Sequence, residues 1–201
     1  MKTLFTDIPK PVLDRMNYLE ERDARDRKDG TPQLKRLRQI PAETGMLLAI
    51  LASSAPRGPM LEIGTSGGYS ALWLSLACKQ RSDKLITYEL LHDKAELARE
   101  TFAKAQVEDW VELVNGDARS HLKERDEVAF CFLDVEKEMY IEIYKEIVPR
   151  LLPGGMLVAD NLISHKEDLA KFVDLARKDQ SVDAAVLPVG KGLLVCTKRD
   201  S

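Results

Sequence analysis

Cysteine is scarce in this chain, and what there is does not build a framework. Cys78, Cys131 and Cys196 are scattered, odd in number and set in apolar runs. They lack metal-ligand spacing, so the expectation is reduced, buried thiols rather than a disulfide scaffold. No apolar run approaches the length of a membrane span, and Met1–Asp7 lacks the apolar core of a secretory leader. Both absences give a cytoplasmic chain with no membrane partner as the expectation. Neither charge sign dominates. The formal net charge is −3 and the pI about 5.7, which argues against a protein built chiefly to bind polyanions. Two familiar phosphate-binding patterns are missing as well: the glycines are not spaced Gly-x-Gly-x-x-Gly, and no Gly-Lys-Ser/Thr P-loop occurs. There is no internal repeat and no low-complexity tract.

What is present suits one globular domain. At 201 residues, with 44% hydrophobic and 31% charged residues, the chain is long enough to bury a real core. Residues 1–40 differ from the rest. Pro11–Lys28 reads as a helix with Val12, Leu13, Met16 and Leu19 on its apolar positions, stopped by Asp29-Gly30-Thr31-Pro32. A basic segment follows at Lys35, Arg36 and Arg38. Pro41 opens a second helix bearing Met46, Leu47, Ile50 and Leu51.

From there strands and helices alternate. Strands are predicted over Met60–Ile63, Lys84–Tyr88, Trp110–Val114, Val128–Leu133 and Met156–Ala159. Helices are predicted over Tyr69–Lys79, His92–Ala105, Arg119–Glu124, Glu138–Leu152 and Lys166–Lys178. Two last strands, Ala184–Val189 and Gly192–Thr197, flank the short Gly190-Lys191 turn, so the final strand is expected to run antiparallel. The pattern predicts an α/β fold: a doubly wound, mostly parallel seven-stranded sheet with an antiparallel last strand.

In such a sheet, ligands bind outside the carboxyl ends of the strands, and that is where the chemistry-bearing residues fall. Gly64-Thr65-Ser66-Gly67-Gly68 closes the first strand and lets backbone N–H groups approach a ligand. Glu89, after the second strand, can accept two hydrogen bonds from a ribose diol. Asn115-Gly116-Asp117-Ala118 follows the third strand, and Asp117 can meet a base edge or cap the next helix. Asp134 and the pair Asp160-Asn161 follow the fourth and fifth strands. Acids at the ends of apolar strands pay for desolvation unless something pairs with them, and an all-oxygen set suits Mg²⁺ or a similar hard cation. Lys137, three residues past Asp134, is placed to act as a general base if the cation lowers its pKa. His92, His121 and His165 fall in helix or loop context and read as surface residues.

The motifs Leu61–Ser70, Tyr88-Glu89, Asn115–Ala118, Phe132–Tyr140, Leu152–Gly155, Val158–Asn161 and Leu187–Gly192 together resemble the S-adenosylmethionine-dependent, metal-dependent O-methyltransferases of the catechol and caffeoyl-CoA type. The resemblance runs from about Ile40 to Lys198. It implies a class I, Rossmann-like methyltransferase fold with residues 1–40 as a helical lid or dimerisation segment, and a homodimer. It implies that Glu62, Gly64, Thr65 and Ser70 surround the methionine part of the cofactor, that Glu89 holds the ribose, and that Asp117 and Ala118 lie by the adenine. Ile40 matches a covering segment. Asp134, Asp160 and Asn161 match the ligands of the divalent cation, with Asp134 also near the cofactor, and Lys137 matches the base. The implied acceptor is a small hydroxylated molecule, catechol-like or vicinal. Methylation of a hydroxylated tRNA base is an alternative motivated by the basic stretch Arg22–Arg38. A non-catalytic cofactor sensor is another, disfavoured because a sensor needs neither metal nor base. The sequence departs from the animal catechol enzymes by carrying Glu136 where they place Trp. It departs from the plant enzymes by the short stretch Leu162–Val186.

Overall fold

The structure is a computed structural model that describes residues 8–123 and 126–200. Helix α1 (Lys10–Asp26) and α2 (Ala42–Ser54) precede an alternating series: β1 (Met60–Ile63), α3 (Tyr69–Arg81), β2 (Leu85–Glu89), α4 (His92–Ala105), β3 (Val111–Asn115), α5 (Arg119–Leu122), β4 (Val128–Leu133), α6 (Tyr140–Ile147), β5 (Leu151–Ala159), α7 (Ala170–Lys178), β6 (Val182–Leu187) and β7 (Leu193–Lys198). The seven strands form one sheet in the order β3-β2-β1-β4-β5-β7-β6. All pairings are parallel except those of β7, which runs antiparallel to both β5 and β6. This is the expected class I, Rossmann-like architecture.

Successive side chains of a strand point to opposite faces, and each face has its own core. Met60, Phe130, Phe132 and Val158 join the layer of α1 to α4. Leu61, Ile63, Cys131, Leu133 and Leu157 join the layer of α6 and α7. With both faces covered, β4 is buried at every position, as its unbroken apolar run requires. Cys78, Cys131 and Cys196 are free and buried in these layers. Among the described residues no helix is long and apolar enough to cross a membrane.

Helix α1 packs into the body of the fold. Val12, Met16 and Leu19 of α1 are almost wholly buried. The buried Arg15 donates from Nε to Thr101 Oγ1 at 3.1 Å on α4, and Tyr69 at the head of α3 donates to Glu20 at 2.5 Å.

Three predicted boundaries need correction. The helix expected over Glu138–Leu152 is a 3₁₀ turn at Lys137–Met139, then α6 only to Ile147, then another 3₁₀ turn at Val148–Arg150. Pro149 cannot donate to an α-helical ladder and tightens this end. The next strand accordingly starts at Leu151 rather than Met156, with a register irregularity between Val128 and Phe130 on its partner. Helix α7 starts at Ala170, four residues later than predicted, after a run of turns. Glu124, the expected last residue of the short fifth helix, and Met1–Asp7 lie outside the described residues.

Candidate functional site

The sheet register brings the chemistry to one rim. Ile63 is paired with both Tyr88 and Leu133, and Leu133 with Ala159. The next residues, Gly64, Glu89, Asp134 and Asp160, therefore lie at the same level, Glu89 as the last residue of β2. The ladder continues one step past the strand ends: Gly64 N–H donates to Tyr88 C=O at 3.0 Å, Asp134 N–H to Ile63 C=O at 3.0 Å, and Asp160 N–H to Leu133 C=O at 3.1 Å. Gly64, Glu89, Asp134 and Asp160 thus stand side by side on four adjacent strand ends.

The glycine turn is shaped by close approach. Gly64 has φ +100, and a methyl group there would lie 2.0 Å from the Asp134 carbonyl oxygen. Gly68 has φ +90 and lies against the Phe102 ring. Both conformations are open to glycine and strained for other residues. Beneath the turn lies a buried polar chain. Thr87 Oγ1 donates to Glu62 Oε2 at 2.5 Å, and Thr65 Oγ1 lies 2.5 Å from Thr87 Oγ1. Glu62 is fully buried, and its Oε1 has no hydrogen-bond partner among the described residues. Burial pushes its carboxyl up to about 8, against the opposing pull of Ser70 and Thr87. Ser70 is buried on the first turn of α3.

Glu89 is held rather than free. Its two carboxylate oxygens accept N–H bonds from Ser66 at 2.7 Å and Leu91 at 2.9 Å, which fixes the carboxylate toward the glycine turn with lone pairs to spare. Asp117 is more committed than its sequence position suggests. It accepts from the backbone N–H of Arg119 at 3.0 Å and pairs with the Arg119 guanidinium at 2.6 Å. Arg119 in turn reaches Glu142 at 3.1 Å. The helix-capping expectation is not met, since the N-cap of α5 is Ala118 with no side-chain cap bond; the Asp117 carboxylate closes a turn onto Arg119 instead. Ala118 is buried beside it. Ile40 has its side chain in the core, so only its backbone is left to face a ligand.

Two members of the acidic set meet directly. Asn161 Nδ2 donates to Asp134 Oδ1 at 2.7 Å. Asn161 has φ +74, a left-handed turn that asparagine tolerates better than most residues, and this turn folds its amide back over Asp134. Asp160 is fully buried, and among the described residues neither carboxylate oxygen has a hydrogen-bond partner. Burial, reinforced by Asp134, raises its carboxyl to about 6. Asp134 is also raised, by burial first, with Lys137 and Lys191 pulling the other way. Among the described residues no three His, Cys, Asp or Glu side chains gather as a metal cluster. What gathers is the Asp134–Asn161 pair, with the Asp160 carboxylate near enough to Asp134 to feel its charge. Lys137 donates to Val135 C=O at 3.1 Å, with its ammonium 5.2 Å from the Tyr140 ring centre. Burial lowers its pKa, opposed by Asp134 and Glu136.

A model of the O-methyltransferase family matches residues 15–199. The chain belongs to the O-methyltransferase family. Among curated members, catechol O-methyltransferase of Mycobacterium tuberculosis is 32% identical over 67% of this chain, a match that spans 62% of that enzyme's length. Caffeoyl-CoA O-methyltransferase of Medicago sativa is 25% identical over 78% of this chain and 73% of its own. The fold is that of solved family structures. The O-methyltransferase TomG from Streptomyces achromogenes, in complex with S-adenosylmethionine, superposes with a TM-score of 0.77 at 24% identity, covering 99% of this chain and 94% of its own.

Three residues of this family member's rim escaped the sequence reading as site residues. Lys191, in the β6–β7 turn, accepts the N–H groups of Ile163 and Ser164 on its carbonyl and bears on Asp134 and Asp160. The antiparallel last strand, which returns the turn to the end of β5, was the signal that pointed there. Arg38 belongs to the basic segment that follows the first helix. It donates to Glu136 at 2.7 Å. Lys94 on α4 gave no signal at all.

Proposed function

We propose that this chain is an S-adenosylmethionine-dependent O-methyltransferase that places a methyl group on a hydroxyl of a small catechol-like or vicinal acceptor, assisted by a divalent cation such as Mg²⁺. The observation that carries the reading is the Asp160 carboxylate, buried with both oxygens unpartnered among the described residues, beside the Asp134–Asn161 pair. Two neighbouring carboxylates in a desolvated place call for a cation. The catechol O-methyltransferase relative and the S-adenosylmethionine complex of TomG support the donor and the acceptor class.

In this reading the glycine turn, Glu62, Thr65 and Ser70 form the cradle for the methionine end of the donor. Glu89, already oriented by two backbone N–H groups, receives the ribose, and the Asp117-Ala118 backbone borders the base. The donor's sulfonium supplies an already activated methyl group. A divalent cation held by Asp134, Asp160 and Asn161 would lower the pKa of a hydroxyl brought to it. Lys137, with its own pKa lowered by burial, accepts the hydroxyl proton. The walls supply the remaining advantage by fixing the acceptor in line with the methyl group. The segment 1–40 is proposed as a lid or dimerisation segment, with Ile40 in the part that covers the cofactor, and a homodimer as the assembly. A hydroxylated tRNA base is the second acceptor reading; the net charge of −3 weighs against it.

The test is a methyl-transfer assay over a catechol panel, with Mg²⁺ and with EDTA. Turnover that needs the metal and falls at least about a hundredfold in Asp160→Ala is expected. Full activity in EDTA would sink the metal step, and absence of transfer to any catechol would sink the acceptor class.

A further inference from the structure

A cavity of about 410 Å³ opens between the N-terminal half of α1 and the last turn of α4. Helix α4 leaves the rim after β2 and ends where the parallel strand β3 begins. The cavity therefore lies at the end of the sheet opposite the proposed chemistry. Its lining is cationic: Lys10, Arg15 and Lys104 stand against one acid among the described residues, Asp14, with Tyr18 as an aromatic wall. Two of these cations are exposed and held by neighbours on their own helices, Lys10 by Asp14 at 2.5 Å and Lys104 by Glu100 at 2.6 Å. Pairs of this kind are weak, so either ammonium can turn to a ligand at little cost.

Arg15 differs from both. It is 4% exposed, and a guanidinium cannot shed its proton to escape burial. Its charge is only partly answered. Nε donates to the neutral Thr101 hydroxyl. Nη1 lies 3.5 Å from Glu100, at the outer limit of a hydrogen bond, and Lys104 holds that carboxylate more closely. Nη2 is buried with no hydrogen-bond partner among the described residues. The guanidinium stacks over the Tyr18 ring, 4.3 Å from its centre, which fixes its plane. Buried charges are ordinarily paired, so an under-paired guanidinium in the wall of an open cationic cavity marks a place for an anion. An anion there offsets the Arg15 charge across a partly desolvated wall, where water screens weakly. The first turn of α1 adds to this. It borders the cavity through Lys10 and, among the described residues, carries no acid and no side-chain cap, and a helix N-terminus favours negative charge.

We infer that this cavity is a second binding site, separate from the rim, for a compact multivalent oxyanion of the phosphate class. Three cations around one ligand suit a group with several charged oxygens better than a single carboxylate. The inference goes beyond methyl transfer and does not depend on it.

Inorganic pyrophosphate is the probe, titrated into the isotope-labelled, metal-free chain and followed by amide NMR. It should shift the backbone amides between Lys10 and Tyr18 and at Lys104–Gln106 in a saturable way, and leave Gly64–Gly68 unmoved. Lys10→Gln and Lys104→Gln change exposed side chains, and each should weaken binding by about twofold to fivefold. Arg15→Gln should weaken it by about tenfold or more; the two exposed variants decide the matter if that protein does not fold. Absence of saturable shifts up to roughly 10 mM pyrophosphate overturns the inference. So do shifts centred on the glycine turn, which would put the anion in the donor cradle. Equal binding by the wild type and both lysine variants also overturns it, because the attraction would then belong to the surface at large.

Discussion

Single residues separate what the chain reveals by itself from what folding adds. Gly64, Glu89, Asp134, Asp160 and Asn161 were legible because each follows an apolar strand, and strand ends are where open α/β sheets put their chemistry. Lys94 was illegible because a lysine in the first turn of a helix gives no local sign that its side chain will be largely buried. Asp117 was legible as a position but not in its pairing, since nothing local announces that Arg119 will close on it. The cost of the acidic set can be measured at this scale. With its folded pKa raised from 3.8 to about 6, ionised Asp160 weakens the metal-free fold above that pH by on the order of 2–3 kcal/mol. Asp160→Asn should therefore melt higher than the wild type at pH 8 without metal. Mg²⁺ should raise the melting temperature of the wild type and leave the variant where it is; equal Mg²⁺ shifts in both proteins would contradict the assignment of Asp160 as a ligand.

At the scale of elements, every predicted strand exists, and the errors collect at boundaries. Leu151 and Leu152 continue the helical spacing of Ile143 and Ile147 as well as they begin a strand. The choice is made by Val128, which pairs with Leu151 across the sheet, a partner that no local window contains. Proline at 149 marks the change, but Pro153-Gly154-Gly155 is the stronger punctuation and drew the boundary too late. Helix α1 shows the opposite case, where local pattern was right and its packing was hidden. Leu19 is fully buried, and a methyl group on Gly67 would lie 3.3 Å from it. Leu19→Ala should cost about 2–5 kcal/mol in urea unfolding. Because the space opens against the glycine turn, the same variant should also bind S-adenosylhomocysteine more weakly. Unchanged affinity in a destabilised protein would show that α1 supports the fold without supporting the turn.

For the molecule as a whole, the buried Glu62 sets a pH dependence opposite to the usual acid lability. Its carboxyl rises from 4.5 to about 8 on folding, so the folded state binds the proton more tightly than the unfolded one. The stabilisation is complete below pH 4.5, declines as pH rises, and is gone above about 8, at a slope of up to roughly 1.4 kcal/mol per pH unit. Denaturant titrations at several values across that interval should show stability falling as alkalinity rises. Glu62→Gln keeps an acceptor for Thr87 and should flatten the trend; a slope unaffected by that change would assign it to other groups.

The three thiols distributed through the two apolar layers give the molecule an internal clock. Burial raises Cys78 and Cys196 to about 12 and Cys131 further still, so almost none is thiolate while the layers stay closed. A disulfide dye added to the native protein can thus be consumed only as fast as segments open. Cys78 rides on an outer helix, whereas Cys131 occupies the strand between β1 and β5. Mass-spectrometric timing of labelling should find the helix thiol tagged first and the central one last, at the pace of global unfolding.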